Sequence, residues 1–478
     1  MNIINRFPEL LSLQALARKK RLQVYLVGGF LRDRVLTPPK ETGRDFDFAV
    51  SKNAIPLARQ FAKIIKGAFV LLDKESGCAR VAKKRSDGLW TYDFSDFRAK
   101  TLAKDLLKRD FTINTLHVDI LSLKTGDSLE PFLALQKKPL SDIKAKIIRM
   151  ASLEAFSDDP LRLLRAYSLK AQLGFKIDRP TLLSIKKYCH LIHQVSPERV
   201  REEFFKILES PRTVDTIKAI DSVGLLWEIM PQVKIMAQVK QGGYHHLDVW
   251  AHSLETIAQL EKILQENKNP QLEAYLNEEI AGGHSRKAIL KFACLLHDTG
   301  KPDTKRKEPD GRTSFHGHEH VGGRIARVIA RQFLMSTRET HSLEDMVTLH
   351  LRPGYLSNFK KPSDRMIFRF FRDARDEAVS ILLLSLADQY ATRGPLTTEY
   401  DVSHHEKITW PLIKEYFRKK SEVPCQPLIN GHDLIKTLKL KPGPVFARIL
   451  SKVEEAQHLG KVTTKKEALA LARKISKG

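Results

Sequence analysis

The sequence predicts an α+β protein, with a small N-terminal mixed sheet followed by a long all-α region. Two observations carry this. Short segments rich in β-branched and aromatic residues occur only in the first ~140 positions, and the remainder shows helical spacing with helix start and stop signals. At 478 residues the chain exceeds one hydrophobic core, so several domains are expected.

In chain order, VYLV (24–27), FDFAV (46–50), CARVA (78–82) and LWTYDF (89–94) read as strands. The stretch 158–175 reads as a helix with Asp159 at the N-cap, Pro160 in the first helical position and Gly174 at the C-cap. The stretch 196–210 opens in the same way with Ser196 and Pro197. The polar segment 264–286 reads as an exposed insertion between helices, and a further basic helical piece runs from Pro427 to the end. The expected division is a head (1–140), a helical neck and body (141–230), a third domain (231–410) and a basic helical C-terminal segment (411–478).

The formal net charge of +25, spread along the chain, points to a polyanionic partner, and nucleic acid is the expected one. The scattered cysteines Cys78, Cys189, Cys294 and Cys425 show no disulfide or metal-knuckle spacing. No apolar run of membrane-spanning length occurs and the amino terminus lacks a secretory pattern, so a cytoplasmic, membrane-free protein is expected.

RDFDFAV (44–50) interleaves two aspartates with apolar residues. On a strand, Phe46, Phe48 and Val50 face a core while Asp45 and Asp47 project together from the other face. Two carboxylates so close repel unless a cation lies between them, and a hard divalent ion such as Mg2+ suits them. Upstream, YLVGGFLRDRVL places Gly28 and Gly29 at a strand-to-helix turn. Backbone N–H groups can approach phosphate there, and Arg32 adds a charged fork. KRDFTINTL contributes Arg109, Asp110 and Asn114.

This succession, followed by DDPLRLLR, resembles the bacterial class II tRNA nucleotidyltransferases and their poly(A) polymerase relatives, of the polymerase-β nucleotidyltransferase type. The resemblance implies that Asp45 and Asp47 bind catalytic Mg2+. It implies that Gly28, Gly29, Arg32 and Asp33 hold a triphosphate, and that Arg109, Asp110 and Asn114 position the nucleotide. Asp93 is the candidate for a third carboxylate. The implied partners are tRNA, CTP and possibly ATP.

Asp159 and Arg162 are three apart on a helix and share a face, with Arg165 extending the row. Cytosine and adenine both present an exocyclic amine beside a ring-nitrogen acceptor. A carboxylate accepts from the first while a guanidinium donates to the second. Uracil and guanine would leave groups unpaired, at about 1–3 kcal/mol each. The family resemblance gives Asp159 and Arg162 the same role. Two departures stand out: Asp158 replaces the glutamate of many relatives, and only Ala99 and Lys100 separate Arg98 from the block opening at Thr101. Enzymes of the family that complete CCA have a longer loop here, so the shortening resembles the CC-adding subgroup.

A second constellation runs His252, His297-Asp298, His318, His350 and Asp388, on separate helical segments. Imidazole with carboxylate suits a divalent transition metal, Mn2+, Fe2+, Ni2+ or Zn2+. The order resembles the HD phosphohydrolases, with His252, His297, Asp298 and Asp388 as core ligands and His318 and His350 as those of two-metal members. At the C-terminal end, Lys436, Lys439, Lys441 and Arg448 surround a Pro-Gly-Pro turn and suit RNA phosphates. Three readings share these motifs: a tRNA nucleotidyltransferase adding CC or CCA, a poly(A) polymerase, and an HD phosphohydrolase whose head serves as an RNA-binding module.

Overall fold

The computed structural model describes residues 3–36, 44–242, 246–421 and 426–476, so Cys425 lies outside the described residues. The chain forms two compact units, Met1–Ile229 and Met230–Gly478.

The first unit begins with a six-stranded sheet in the order β3-β4-β5-β2-β1-β6. Its strands are β1 (Val24–Val27), β2 (Asp45–Val50), β3 (Ala68–Asp73), β4 (Cys78–Arg85), β5 (Gly88–Asp96) and β6 (His117–Asp119). β2 and β5 run parallel and the other pairs antiparallel, so the sheet is mixed. The four segments read as strands from sequence are β1, β2, β4 and β5. β3 and β6 were not read: AFVLLD has no alternation, and β6 is three residues long. One face of the sheet carries an aromatic core. Phe46 stacks on Tyr92 at 5.3 Å and meets Phe30 at 4.5 Å and Phe7 at 4.8 Å between ring centroids. The helices Glu9–Lys19 and Ala54–Ile65 contribute to that core through Leu10, Leu13, Leu57 and Phe61, all buried. Burying one face leaves Asp45 and Asp47 on the open one.

Helices follow. Leu161–Leu173 ends at Gly174, whose φ of 70° is the left-handed C-cap expected of glycine. Its start differs from the expectation: Ala155–Asp158 is a separate helical turn, Asp159 is extended, and its Oδ1 accepts from Leu161 N at 3.3 Å. Pro197–Leu208 begins as predicted, with extended Ser196 ahead of the proline.

The second unit is built from helices, among them Val249–Glu266, Arg286–Leu296, His318–Gln332, Thr337–Leu349 and Ala378–Ala391. The segment read as an exposed insertion is instead packed into it. Pro270–Asn277 is a helix that buries Leu272, Tyr275 and Leu276, and Tyr275 Oη donates to Asp376 O at 2.8 Å. Arg286, at its end, is fully buried and paired with Glu377 at 2.5 Å and Glu278 at 3.1 Å. Its polar residues made it look exposed; three apolar anchors decided otherwise. The helices Gly431–Leu438, Pro444–His458 and Lys465–Ser476 enclose a small core of their own around Leu434, Ile449 and Val453.

Candidate active sites

In the first unit, the parallel register sets Asp47 beside Asp93, while Val27 lies opposite Asp47 on its other side. β1 therefore delivers Gly28 directly to the carboxylate pair. Gly28 has φ 84°, and a Cβ on it would stand 3.3 Å from Asp47 Oδ2. A side chain there is strained by the backbone conformation, and the Asp47 carboxylate would have to give way to it. Asp45 accepts a hydrogen bond from Thr91.

Asp47 lies in a cleft whose walls withdraw water, and Asp93 and Asp45 add like charge. Its carboxyl is held above the ordinary range despite Arg109 and Arg165 nearby. A carboxylate destabilised by its neighbours gains most from a cation, so the donor set fits a divalent ion. Asp93 is already engaged, since Arg80 binds both its oxygens at 2.7 Å.

The cleft, about 280 Å³, is lined by Gly28, Gly29, Asp47, Arg109, Asp110, Asn114, Asp159, Arg162 and Arg165, all singled out from sequence. It is also lined by Arg98 and Arg199, which were not. Five arginines against three aspartates make it an anion site. Arg32, Asp33 and Asp45 stand beside it: Arg32 is buried, donates to Asp33 at 2.8 Å and reaches Asn114 Oδ1 at 2.8 Å.

That contact begins a chain of bonds. Asn114 donates to Asp110 at 3.1 Å, and Asp110 accepts from Phe111 N at 2.8 Å and from Arg165 at 2.6 Å. Burial alone would raise the Asp110 carboxyl, but Arg165 and these donors hold it below the usual range. Buried Glu203 stands 3.8 Å behind Arg165.

Arg162 and Asp159, on the helical wall of the cleft, are also fixed. Arg162, buried and its pKa lowered by that burial, donates to the carbonyls of Lys108 (2.6 Å), Ala155 (3.1 Å) and Arg109 (3.3 Å). Asp159 is bound by Arg199 at 3.0 and 3.3 Å. The signal for Arg199 was its place one turn into the Ser196-Pro197 helix, but an arginine there reads equally as a solvated face.

The second unit gathers all six predicted ligands. Asp298 is the hub: its Oδ2 lies 3.2 Å from His297 Nε2 and 3.8 Å from His252 Nε2, and its Oδ1 lies 3.2 Å from His318 Nε2 and 3.9 Å from His350 Nε2. Asp388 Oδ1 meets His252 Nε2 at 2.8 Å. Two triads, His252-His297-Asp298 and Asp298-His318-His350, each hold their ligand atoms within 4.8 Å of one another and share Asp298.

The rings are aimed by a repeated device. Nδ1 of His297, His318 and His350 bonds the carbonyl three residues earlier, at 2.9, 2.8 and 2.7 Å. Each Nε2 is therefore left to face the hub. His297 Nε2, fully buried, makes no hydrogen bond. The imidazole and carboxylate donors, with His297 Nε2 unpaired, fit a divalent metal, which the two triads would hold. Gly300 makes the convergence possible, because a Cβ there would fall into the His318 carbonyl.

Burial and the adjacent His297 and His318 push His350 down to about 3. His297, although burial opposes it, is raised to about 10 by Asp298 and Asp388. Lys301 donates to Asp298 at 2.6 Å and to Gln241 at 2.6 Å; its place one turn from Asp298 in HDTGK is the signal for it in the sequence.

The poly A polymerase head domain matches residues 24–148, the HD domain 249–393, and tRNA nucleotidyltransferase domain 2 residues 421–472. The A-adding tRNA nucleotidyltransferase of Deinococcus radiodurans is 31% identical over 459 residues, covering 94% of each chain. The chain belongs to the tRNA nucleotidyltransferase family. The CC-adding tRNA nucleotidyltransferase of Thermus thermophilus is 30% identical, over 93% of this chain and 92% of its own. Among solved structures, a CCA-adding enzyme in complex with ATP superposes with a TM-score of 0.62 at 18% identity, covering 98% of this chain and 94% of that one. The Thermotoga maritima CCA-adding enzyme complexed with tRNA gives 0.58 at 18% identity, covering 99% and 95%. At that identity the likeness is one of fold. As the sequence led one to expect, a nucleotidyltransferase head and an HD domain lie in one chain. No helix among the described residues is long and apolar enough to cross a membrane.

Proposed function

We propose that this chain is a template-independent tRNA nucleotidyltransferase that uses CTP and stops after two cytidines. The supporting observation is the pairing of a fixed base-side pocket with a short connection. Five residues, Phe97–Thr101, join β5 to the helix Leu102–Leu107, and Arg162 is anchored on the Lys108 and Arg109 carbonyls just beyond it. With so little chain there, the pocket has no lever to re-aim Asp159 and Arg162 from cytosine to adenine.

Mg2+ held by Asp45 and Asp47 would acidify the RNA 3′-hydroxyl and neutralise charge at the α-phosphorus. The chain's own groups do the rest: the Gly28-Gly29 turn lets phosphate approach, the cleft arginines take up negative charge as pyrophosphate departs, and Asp159 with Arg162 reads the base. Exposed Lys436, Lys439, Lys441 and Arg448 would hold tRNA phosphates, in a cytoplasmic setting.

The test supplies a tRNA lacking CCA with Mg2+ and CTP, ATP or both. Two added residues with CTP and none further with ATP support the proposal. Three with both give full CCA addition, and a long tail from ATP alone gives a poly(A) polymerase.

A second activity is favoured by the Asp298-centred cluster: a phosphohydrolase with a divalent transition metal. Release of phosphate from p-nitrophenyl phosphate in Mn2+, abolished by Asp298→Ala, supports it; no release in Mn2+, Fe2+, Ni2+ or Zn2+ removes it.

A further inference from the structure

The three C-terminal helices, Gly431–Leu438, Pro444–His458 and Lys465–Ser476, are a module packed upon itself. Among the described residues, every buried or half-buried apolar member of their cluster lies between Leu428 and Ile475. This tail meets the remainder of its unit chiefly along one seam, where Pro444–His458 lies against the helix Asp364–Ala374.

The seam is polar. On Asp364–Ala374, the residues Arg365, Phe368, Arg369 and Arg372 recur at helical spacing and form one face, and Ser451, Glu455 and His458 do the same on the tail helix. Glu455 is 5% exposed and accepts from Arg365 Nε, from Arg369 Nε at 2.8 Å and from Arg369 Nη2 at 3.3 Å. Arg372 Nη1 donates to Ser451 Oγ at 2.8 Å, and Phe368 stacks on the His458 ring at 4.6 Å. Burial would raise the Glu455 carboxyl, yet Arg369 and Arg365 hold it below the ordinary range.

Such a grip adds little to stability, because the cost of taking the charges out of water offsets most of their attraction. What it supplies is geometry. An apolar seam can slide at small cost, whereas a slip here strands a buried carboxylate. The tail also carries exposed positive charge whose place the seam decides. Arg448 stands two turns before Glu455 on the same helix, about 10 Å along its axis, and Lys436, Lys439 and Lys441 precede that helix.

We propose that Glu455 is a positioning residue for tRNA: gripped by Arg365 and Arg369, it fixes the pose in which the basic residues of the tail take up tRNA phosphates. Glu455 itself touches neither tRNA nor nucleotide. The inference rests on the proposed use of tRNA and adds the contact that sets the grip.

The experiment compares the full-length wild type with Glu455→Gln. It measures CMP incorporation into tRNA lacking CCA, filter binding of the same tRNA, and hydrogen exchange of the free protein by mass spectrometry. The amide keeps the size of the side chain but turns an N–H donor toward one guanidinium. The Arg365 and Arg369 side chains are 57% and 46% exposed, so the low end of a charge-assisted bond applies, about tenfold. A tRNA KM and Kd raised by about that factor are expected, with KM for CTP and kcat at saturating tRNA unchanged and residues 445–453 still protected from exchange. Arg365→Gln/Arg369→Gln, which leaves the tail untouched, should do the same, and adding Glu455→Gln to it should cost nothing further. Affinity for tRNA within about twofold of wild type overturns the clamp, as do additive losses. A loss of protection over 445–453 also overturns it, because Glu455 would then hold the fold of the tail. Tighter tRNA binding overturns it too, since the freed arginines would then be RNA contacts that Glu455 masks. A wild-type chain that binds tRNA but adds other nucleotides, or none, sinks the proposed activity alone.

Discussion

Asp110→Asn is the sharpest probe of how the nucleotidyltransferase cleft is held. Asp110 accepts from Phe111 N, Asn114 Nδ2 and Arg165 Nε, so its carboxylate links the polypeptide turn to Arg165 on the helix Leu161–Leu173. The amide is isosteric and can still accept from Phe111 N. In doing so it turns an N–H donor toward Arg165 or Asn114, both of which are donors themselves. A charge-assisted hydrogen bond of this kind contributes about 1.5–3 kcal/mol. The Arg165 side chain is 44% exposed, and Glu203 at 3.8 Å keeps part of its hold, so the lower end applies, about 1.5 kcal/mol. That corresponds to roughly tenfold in kcat/KM for CTP. The assay is steady-state CMP incorporation into tRNA, with urea unfolding run alongside. A double-mutant cycle with Arg165→Met isolates the link. If Asp110 acts through Arg165, the double variant is no worse than the poorer single one. Additive losses, or an Asp110→Asn enzyme within twofold of wild type, would refute the reasoning.

Three further outcomes follow from the geometry. Asp47→Asn should lower CMP incorporation by about a thousandfold, the several kcal/mol a metal contributes, whereas Asp93→Asn should cost less than about tenfold because Arg80 occupies its oxygens. Elemental analysis of the purified chain should find two metal ions. Asp298→Ala should lose both and His318→Ala only one, because the hub serves both triads. His405 is buried between Ser357 and Ser385, and burial pushes it down to about 4 from 6.5. The unfolded state then binds the extra proton first, so stability is lost as pH falls from 6.5 toward 4, by about 3 kcal/mol. Urea midpoints of His405→Gln should lack that part of the slope.

What the sequence disclosed and what it hid separate along a physical line. Motifs whose function demands a rare residue pattern stood out: alternation in FDFAV set Asp45 and Asp47 on one face, and four histidines far apart in the chain met at Asp298. Residues that act through a common type did not. Arg199 on Asp159, Arg80 on Asp93 and Lys301 on Asp298 are each a basic side chain in a chain with 81 of them, and only the fold shows which carboxylate each meets. The segment 264–286 follows the same line: its polar composition masks Leu272, Tyr275 and Leu276, three anchors at helical spacing. Asp159 meets the capping expectation in chemistry, extended and bonding the Leu161 N–H ahead of a helical Pro160, but it also joins two helices and pairs with Arg199, which the sequence pattern does not show.

The two sites also differ in how they are rigidified, and the difference matches their chemistry. In the HD cluster the rings of His297, His318 and His350 are each pinned by a carbonyl three residues back, so these three groups are set locally. In the head, by contrast, the anchors are long-range: Arg32 to Asn114, Arg165 to Asp110 and Arg162 to Lys108 span tens of residues. A pocket assembled that way moves as a whole or not at all, because shifting one arginine strands a buried partner at a cost of about 1–3 kcal/mol. Re-aiming such a pocket between two bases requires a segment able to supply that energy. The five residues between β5 and the next helix offer no such segment, so a longer loop grafted at Ala99 should allow terminal A addition with ATP; a graft that leaves ATP use unchanged would show that the short connection does not limit base choice.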